Sequence, residues 1–323
     1  MHMKYALLTV ITIFTSLIPL HGERKTEYQR YIDLSAEKRR AMARQYVKKQ
    51  DGMWAVTKGI YRVYTDIGPE KTFGYALFMQ DFAGRISTLF KGRPGGTFRP
   101  AVYITGTRKN MLKLIDMHMI KAGYKGETAE WTHGLYIRNL QNLYAFESKG
   151  TCATLLHEGT HQFLHYLLGS NIGLLPVWLN EGLATNFETW DQTDSMADNL
   201  KKSRKRSGRR YILKKMFSKK KLPMNLEQLF SRDSRSWSGA QGDAVQHQYT
   251  LAWSFTDYLL NSQTGLAAVN RILQRASRGR KSKKLSAHIL TIHAQHWRTY
   301  VKEKVLSSDA KPGNKRKTAK KTG

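Results

Sequence analysis

The hydrophobic positions change period along this chain, and each change marks an element. Residues 54–67 (WAVTKGIYRVYTDI) are rich in β-branched and aromatic side chains and read as a strand or hairpin. Asp66-Ile67-Gly68-Pro69 ends that segment, and Pro69 suits the start of a helix. Phe73, Leu77, Phe78, Phe82 and Leu89 then follow at helical spacing and predict a helix over 70–91 with its aromatics in the core. Arg93-Pro94-Gly95-Gly96 is a turn, 99–105 a second strand, and 109–122 a helix closed by Gly123. Two short strands are predicted over 132–137 and 142–147, around a polar turn at 139–141.

Beyond residue 150 the pattern is helical throughout. A helix over 151–168 is capped by Gly169, and Pro176 opens another over 177–190. A short helix over 224–230 precedes a polar loop, and three more are predicted over 246–260, 265–275 and 286–304. Strands mixed with helices, followed by helices alone, imply an α+β fold. The expected main domain spans 54–304, with a mixed α/β lobe holding a small sheet over about 54–168 and a helical lobe over about 169–304. No internal repeat is visible.

The start of the chain is of a different kind. Lys4 precedes an almost uncharged run, Tyr5 to Leu20, and Leu20-His21-Gly22 offers a small residue for cleavage, so 1–22 reads as a secretory signal. The run is short and carries Thr9, Thr12, Thr15, Ser16 and Pro19, which disfavours a membrane span. A secreted or periplasmic location follows. Residues 23–53 form a charged N-terminal helical extension, with a surface helix expected over 23–49. The one cysteine, Cys152, cannot form an internal disulfide and reads as a buried structural thiol.

Charge adds a further expectation. Lys and Arg number 54 against 24 Asp and Glu, a formal net charge of +30. Lys201 to Lys221 (KKSRKRSGRRYILKKMFSKKK) is basic without one acid and reads as a solvated insertion. Residues 305–323 read as a disordered basic tail. Both stretches suit an anionic polymer or an envelope surface. With a secretory signal in front, no specific nucleic acid is expected, and a DNA-associated protease is disfavoured.

The chemistry is concentrated in His157-Glu158-Gly159-Thr160-His161. On a helix the two imidazoles fall at i and i+4, about 6 Å apart along one face. Such a pair can chelate one zinc ion, and the adjoining Glu158 can take a proton from a metal-activated water. A catalytic zinc needs a third protein ligand. His165 lies about 12 Å from His157 along the same axis, too far for one ion bound at about 2 Å. The metzincin spacing fails as well, because Leu164 and Leu167 stand where it needs Gly and His. Glu181 fits better. It follows the Gly169–Pro176 turn, which lets its helix fold back, and its neighbours Trp178, Leu179, Leu183 and Ala184 would make an unpaired carboxylate costly to bury. Glu188 is the reserve ligand.

His-Glu-Gly-Thr-His, nineteen residues, and then Glu within Trp178-Leu179-Asn180-Glu181-Gly182-Leu183-Ala184 resembles the gluzincin metallopeptidases. More closely, it is similar to the uncharacterised secreted bacterial proteins of the peptidase-MA-like group. Tyr61 to Asp66, Pro223 to Phe230 and Tyr249 to Leu260 extend the resemblance over about 54–260. It implies a zincin-like fold with the His157–His161 helix at the junction of the lobes. It also implies a zinc ion on His157, His161 and Glu181, with Glu158 as general base and a peptide or protein as substrate. One position departs from the thermolysin-like subgroup: Thr185 stands where those proteins place the Asp that orients a ligand histidine. The resemblance further calls for an oxyanion donor. Tyr249, early on the 246–260 helix, is the first choice and His247 the second. The rival reading is a non-catalytic binder of anionic polymer on the same scaffold.

Overall fold

The computed structural model describes residues 25–307 except 91–94, 96–97, 126–131, 196–197, 201, 203–204, 206 and 220–221. The expected signal at 1–22, the expected turn at 93–96 apart from Gly95, parts of the basic run and 308–323 of the expected tail lie outside the described residues. The fold is α+β, with a small mixed sheet in the N-terminal half and mostly helices in the C-terminal half.

Two short helices open the described chain, α1 (Glu27–Ile32) and α2 (Ala36–Tyr46). Thr26 and Gln29 form a reciprocal capping box on the first, and Ser35 caps the second. They are not a free surface helix. Tyr31 meets the ring of Phe73 edge-on at 5.3 Å and its hydroxyl donates to the Glu70 carbonyl at 2.9 Å. The helical expectation also ends early, because Lys48–Gln50 is strand β1. Asp51 and Gly52 have φ of 49° and 79°, the left-handed pair that a tight hairpin turn requires. That turn pairs β1 with β2 (Met53–Lys58).

The sheet runs in the order β1-β2-β3-β4-β6-β5, with β3 Tyr61–Thr65, β4 Ala101–Thr105, β5 Gly134–Ile137 and β6 Asn142–Phe146. β1, β2 and β3 are antiparallel neighbours; β3, β4 and β6 are parallel; β5 returns antiparallel along the outer edge of β6. The parallel steps need crossovers. Helix α3 (Pro69–Leu89) connects β3 to β4, and α4 (Arg108–Lys121) lies between β4 and the β5–β6 hairpin. Alternate residues divide the two faces. Val63, Val102, Ile104, Leu143 and Ala145 join the main core with Phe73, Leu77 and Phe82 of α3, while Tyr144 packs on Met111 and Ile115 of α4.

Helix α5 (Thr151–Leu168) lies in the main core, burying Leu155, Leu156, Phe163, Leu164 and Leu167. Gln162 of α5 is fully buried and donates to the Ala101 and Gln141 carbonyls, each at 2.9 Å, which ties the helix to the sheet. Gly169 ends it at φ 58°, and a 3₁₀ turn (Gly169–Leu174) leads to α6 (Val177–Phe187). Next come α7 (Arg209–Phe217), α8 (Leu226–Ser231), α9 (Ser234–Ser238), α10 (Asp243–Leu260), α11 (Gln263–Ser277) and α12 (Lys283–Tyr300).

Three expectations change here. The basic run contains a packed helix, because Leu213 and Met216 of α7 are buried in the core. The loop after 230 contains α9, started by a capping box between Asp233 and Ser236. The chain stays ordered past 304: a π-helical turn, Val301–Leu306, buries Val305, whose carbonyl accepts from Arg210 Nε at 2.6 Å. Among the described residues no helix is long and apolar enough to cross a membrane.

Helix α6 sits between α5 and α10. Trp178 is fully buried, stacked on Phe230 at 4.3 Å and edge-on to Phe255 at 5.7 Å. The helices approach closely at Gly182, where a Cβ would lie 2.2 Å from Thr256 Oγ1 and 2.7 Å from the Ala252 carbonyl oxygen. Gly182→Ala should therefore force the helices apart and destabilise the protein by about 1–3 kcal/mol, the usual range for overpacking. Denaturant unfolding measures this, and an unchanged midpoint would show that the two helices accommodate the added methyl without moving apart.

Candidate metal centre

His157 and His161 project from the middle of α5 toward α6, Glu158 stands beside them, and Glu181 comes from the second turn of α6. His157 Nε2 lies 3.8 Å and His161 Nε2 3.7 Å from Glu181 Oε2. One ligand atom from each of the three residues falls within 4.8 Å of the others, so the group could hold a metal ion. The imidazole rings stand edge to face with centroids 5.0 Å apart. The three side chains are 14–19% exposed, so the donor atoms are sheltered without being sealed off.

The far side of each ring is held. His157 Nδ1–H donates to Glu188 Oε2 at 2.8 Å, and His161 Nδ1–H donates to Asn180 Oδ1 at 3.1 Å. With Nδ1 protonated in both, each Nε2 lone pair is turned toward the common point. Glu188 is therefore not the reserve ligand of the sequence reading. Its other oxygen pairs with the Arg209 guanidinium at the start of α7. Burial raises the Glu188 carboxyl's pKa, but the His157 hydrogen bond and Arg209 outweigh it, and the net effect is to lower it. Burial lowers the His157 imidazole, but the bond to Glu188 and the charges of Glu158, Glu188 and Glu181 carry it up to about 8.

Thr185, the departure noted in the sequence, turns its hydroxyl onto its own helix and donates to the Glu181 carbonyl at 2.7 Å. The carboxylate that orients a histidine stands one turn later, at Glu188. Asn180 and Arg209 were not singled out from the sequence. Asn180 adjoins Glu181 and could have been noticed; Arg209 was hidden among its basic neighbours.

Glu158 Oε2 accepts the backbone N–H of Tyr136 at 2.9 Å, which links the motif to strand β5. Gly134 makes this approach possible, since a Cβ there would lie 2.2 Å from Thr154 Cγ2 of α5. Tyr249 is half-buried on α10, edge-on to Trp237 at 5.2 Å and with the Arg209 guanidinium 5.9 Å from its ring centre. Burial first, then the charges of Glu181 and Glu158, push its phenol up to about 12. It is thus a neutral O–H close enough to feel both carboxylates. His247 makes no hydrogen bond or ion pair to the cluster among the described residues. His165 is buried away from it, paired through Nδ1 with the Tyr136 hydroxyl. Cys152, expected to be buried, is exposed in the first turn of α5.

Residues 151–281 match the family model described as "Protein of unknown function (DUF1570)". That stretch contains the three candidate ligand residues together with Glu158, Glu188, Arg209 and Tyr249. No curated protein and no solved structure matches the chain.

Glu188→Ala should leave the fold intact and weaken metal affinity about 10–100-fold, as removing a histidine's outer partner usually does. Competition with a metal-binding dye measures this. Unaltered affinity would mean that the Glu188 bond does not orient His157.

Proposed function

We propose that this chain is a secreted zinc-dependent metallopeptidase of gluzincin type. One observation carries the reading: two imidazole Nε2 atoms and a carboxylate oxygen lie within 4.8 Å of one another, with both Nδ1 atoms already hydrogen-bonded. Two neutral nitrogens and one carboxylate form a donor set that suits zinc, and three protein ligands are the number found in its catalytic sites. His157, His161 and Glu181 would hold the ion. When bound, zinc supplies Lewis acidity, which makes water a nucleophile near neutral pH and polarises a carbonyl.

The remaining steps belong to the side chains. Glu158 takes the proton of the attacking water and passes it to the leaving amine as the peptide C–N bond breaks. The Tyr136 N–H holds one of its oxygens and leaves the other for this proton transfer. The Tyr249 hydroxyl donates to the developing oxyanion, a role its raised pKa supports because the proton stays on oxygen across the working pH range. Secretion rests on the expected signal at 1–22.

The rival reading, an anionic-polymer binder on the same scaffold, draws on α7. Tyr211 there is 63% exposed, with Lys215 Nζ 4.7 Å above its ring. Salt-sensitive polyanion binding by a protein that hydrolyses no peptide would favour it.

Metal analysis of the purified chain should find one zinc, lost in His157→Ala. Glu158→Gln should keep the zinc and abolish cleavage of a mixed peptide library followed by mass spectrometry; cleavage that persists would sink the mechanism. Tyr249→Phe should also retain zinc, with kcat lower by about 10²–10³-fold, the usual cost of one oxyanion donor. Steady-state kinetics with the best library peptide would read this, and an unchanged kcat would remove Tyr249 from the mechanism.

A further inference from the structure

Helix α4 carries an apolar patch on the side away from the sheet. Its inner side buries Met111 and Ile115 against Tyr144 of β6. Met117 and Ile120, one turn apart on the outer side, are 54% and 66% exposed, and Tyr124 just past the helix is 42% exposed. Gly123, at φ 81°, turns the chain back at this point. The Gly123 N–H donates to the Ile120 carbonyl and the Tyr124 N–H to the Met119 carbonyl, each at 2.9 Å. This helix-ending motif holds Tyr124 at the last turn of α4. Single exposed apolar side chains are ordinary on a protein surface. Here three of the eight large hydrophobics exposed among the described residues share one helix end.

The charges around the patch have one sign. Lys109 and Lys113 lie two turns and one turn before Met117, and Lys121 one turn after it; Lys125 adjoins Tyr124. All four are exposed, and none pairs with a carboxylate among the described residues. Other lysines of this half of the chain find acids, as Lys25 does Asp33, Lys58 Glu27 and Lys71 Glu147. Asp116, the one acid of α4, is half-buried and already engaged.

We propose that this end of α4 docks on an anionic phospholipid surface, lying on the bilayer without crossing it. A soluble polyanion would engage the lysines and leave Met117 and Ile120 in water. An anionic bilayer meets both features at once: its headgroups face the lysines, and the apolar tips reach the acyl boundary. A tyrosine, with an apolar ring and a polar hydroxyl, suits the headgroup level between them. The sheet separates this patch from the metal centre, since Leu143 and Ala145 of β6 face the main core that holds α5 while Tyr144 faces α4. Docking therefore leaves the metal centre uncovered, and the inference holds whether or not the proposed hydrolysis does.

Co-sedimentation of the purified secreted chain with vesicles of phosphatidylglycerol and phosphatidylcholine, against phosphatidylcholine alone, tests it at physiological ionic strength. Binding is expected to the anionic vesicles only. Lys113→Gln/Lys121→Gln should weaken it about 25-fold, roughly fivefold for each cation at an anionic membrane surface. Met117→Ser/Ile120→Ser should weaken it about tenfold or more, through the lost apolar contact. Both pairs are exposed, so circular dichroism and metal content should match wild type. Lys215→Gln/Lys219→Gln on α7 should bind the vesicles as wild type does. Undiminished binding by Met117→Ser/Ile120→Ser, or a loss that follows the α7 lysines instead, would overturn the proposal, because the affinity would then be general attraction to a chain of charge +30. So would a wild-type chain that ignores both vesicles but forms a dimer abolished by Met117→Ser/Ile120→Ser, which would assign the patch to a second copy.

Discussion

Bringing three electron-rich atoms within 4.8 Å of one another is the constraint around which the rest of this protein is arranged. Holding two imidazoles and a carboxylate this close, partly out of water, costs each group solvation and rotational freedom that it would keep alone. Side chains free to rotate would move apart. Here the backbone prevents this on both sides. Gln162 fastens α5 to the carbonyls of two parts of the sheet layer, and Gly182 with Trp178 locks α6 between α5 and α10. The rings are then fixed from behind by Glu188 and Asn180.

The same arrangement explains why part of the basic run is folded. Glu188 beside His157 is a half-buried carboxylate that needs a counter-charge, and Arg209 at the first position of α7 provides it. Its guanidinium also lies over the ring of Tyr249, so one side chain is placed against both the histidine's partner and the proposed oxyanion donor. Leu213 and Met216 anchor α7 so that Arg209 stays in place, while Tyr211 and Lys215 face outward. A segment whose composition suggests solvated charge therefore does two things: one end completes the centre, and the outer face leaves a basic surface.

Much of the fold was legible in the residues. The period-two and period-3.6 segments lie where the pattern places them, because alternation and helical spacing are properties of the local chain. The α+β order follows from their succession. Less legible were elements whose signals are short. Asp51-Gly52 is a hairpin turn signal, but β1 is only three residues long and follows a strongly charged helix. Helix α9 depends on one capping box, and α7 on two buried apolar residues among many cations. Cys152 failed for a simpler reason: its helix position alone does not say whether a neighbouring element covers it.

In the centre the division is sharper. His157 and His161 share a helix face by spacing alone, with Glu158 next to the first, and Glu181 was reachable because a turn of known length and an apolar setting limited the choices. These facts lie in the one-dimensional order of the chain, since i and i+4 residues on a helix meet in any fold. The roles of Glu188, Asn180, Arg209 and the Tyr136 N–H were decided only in three dimensions. Asn180 lies on α6 and Glu188 at its end, Arg209 on α7 and Tyr136 on β5, and whether a carboxylate ligates, orients or merely pairs depends on short distances that no spacing encodes. Glu188 shows this most plainly: seven residues after Glu181, about two helical turns on and at the C-cap of α6, it meets the back of His157 rather than the front.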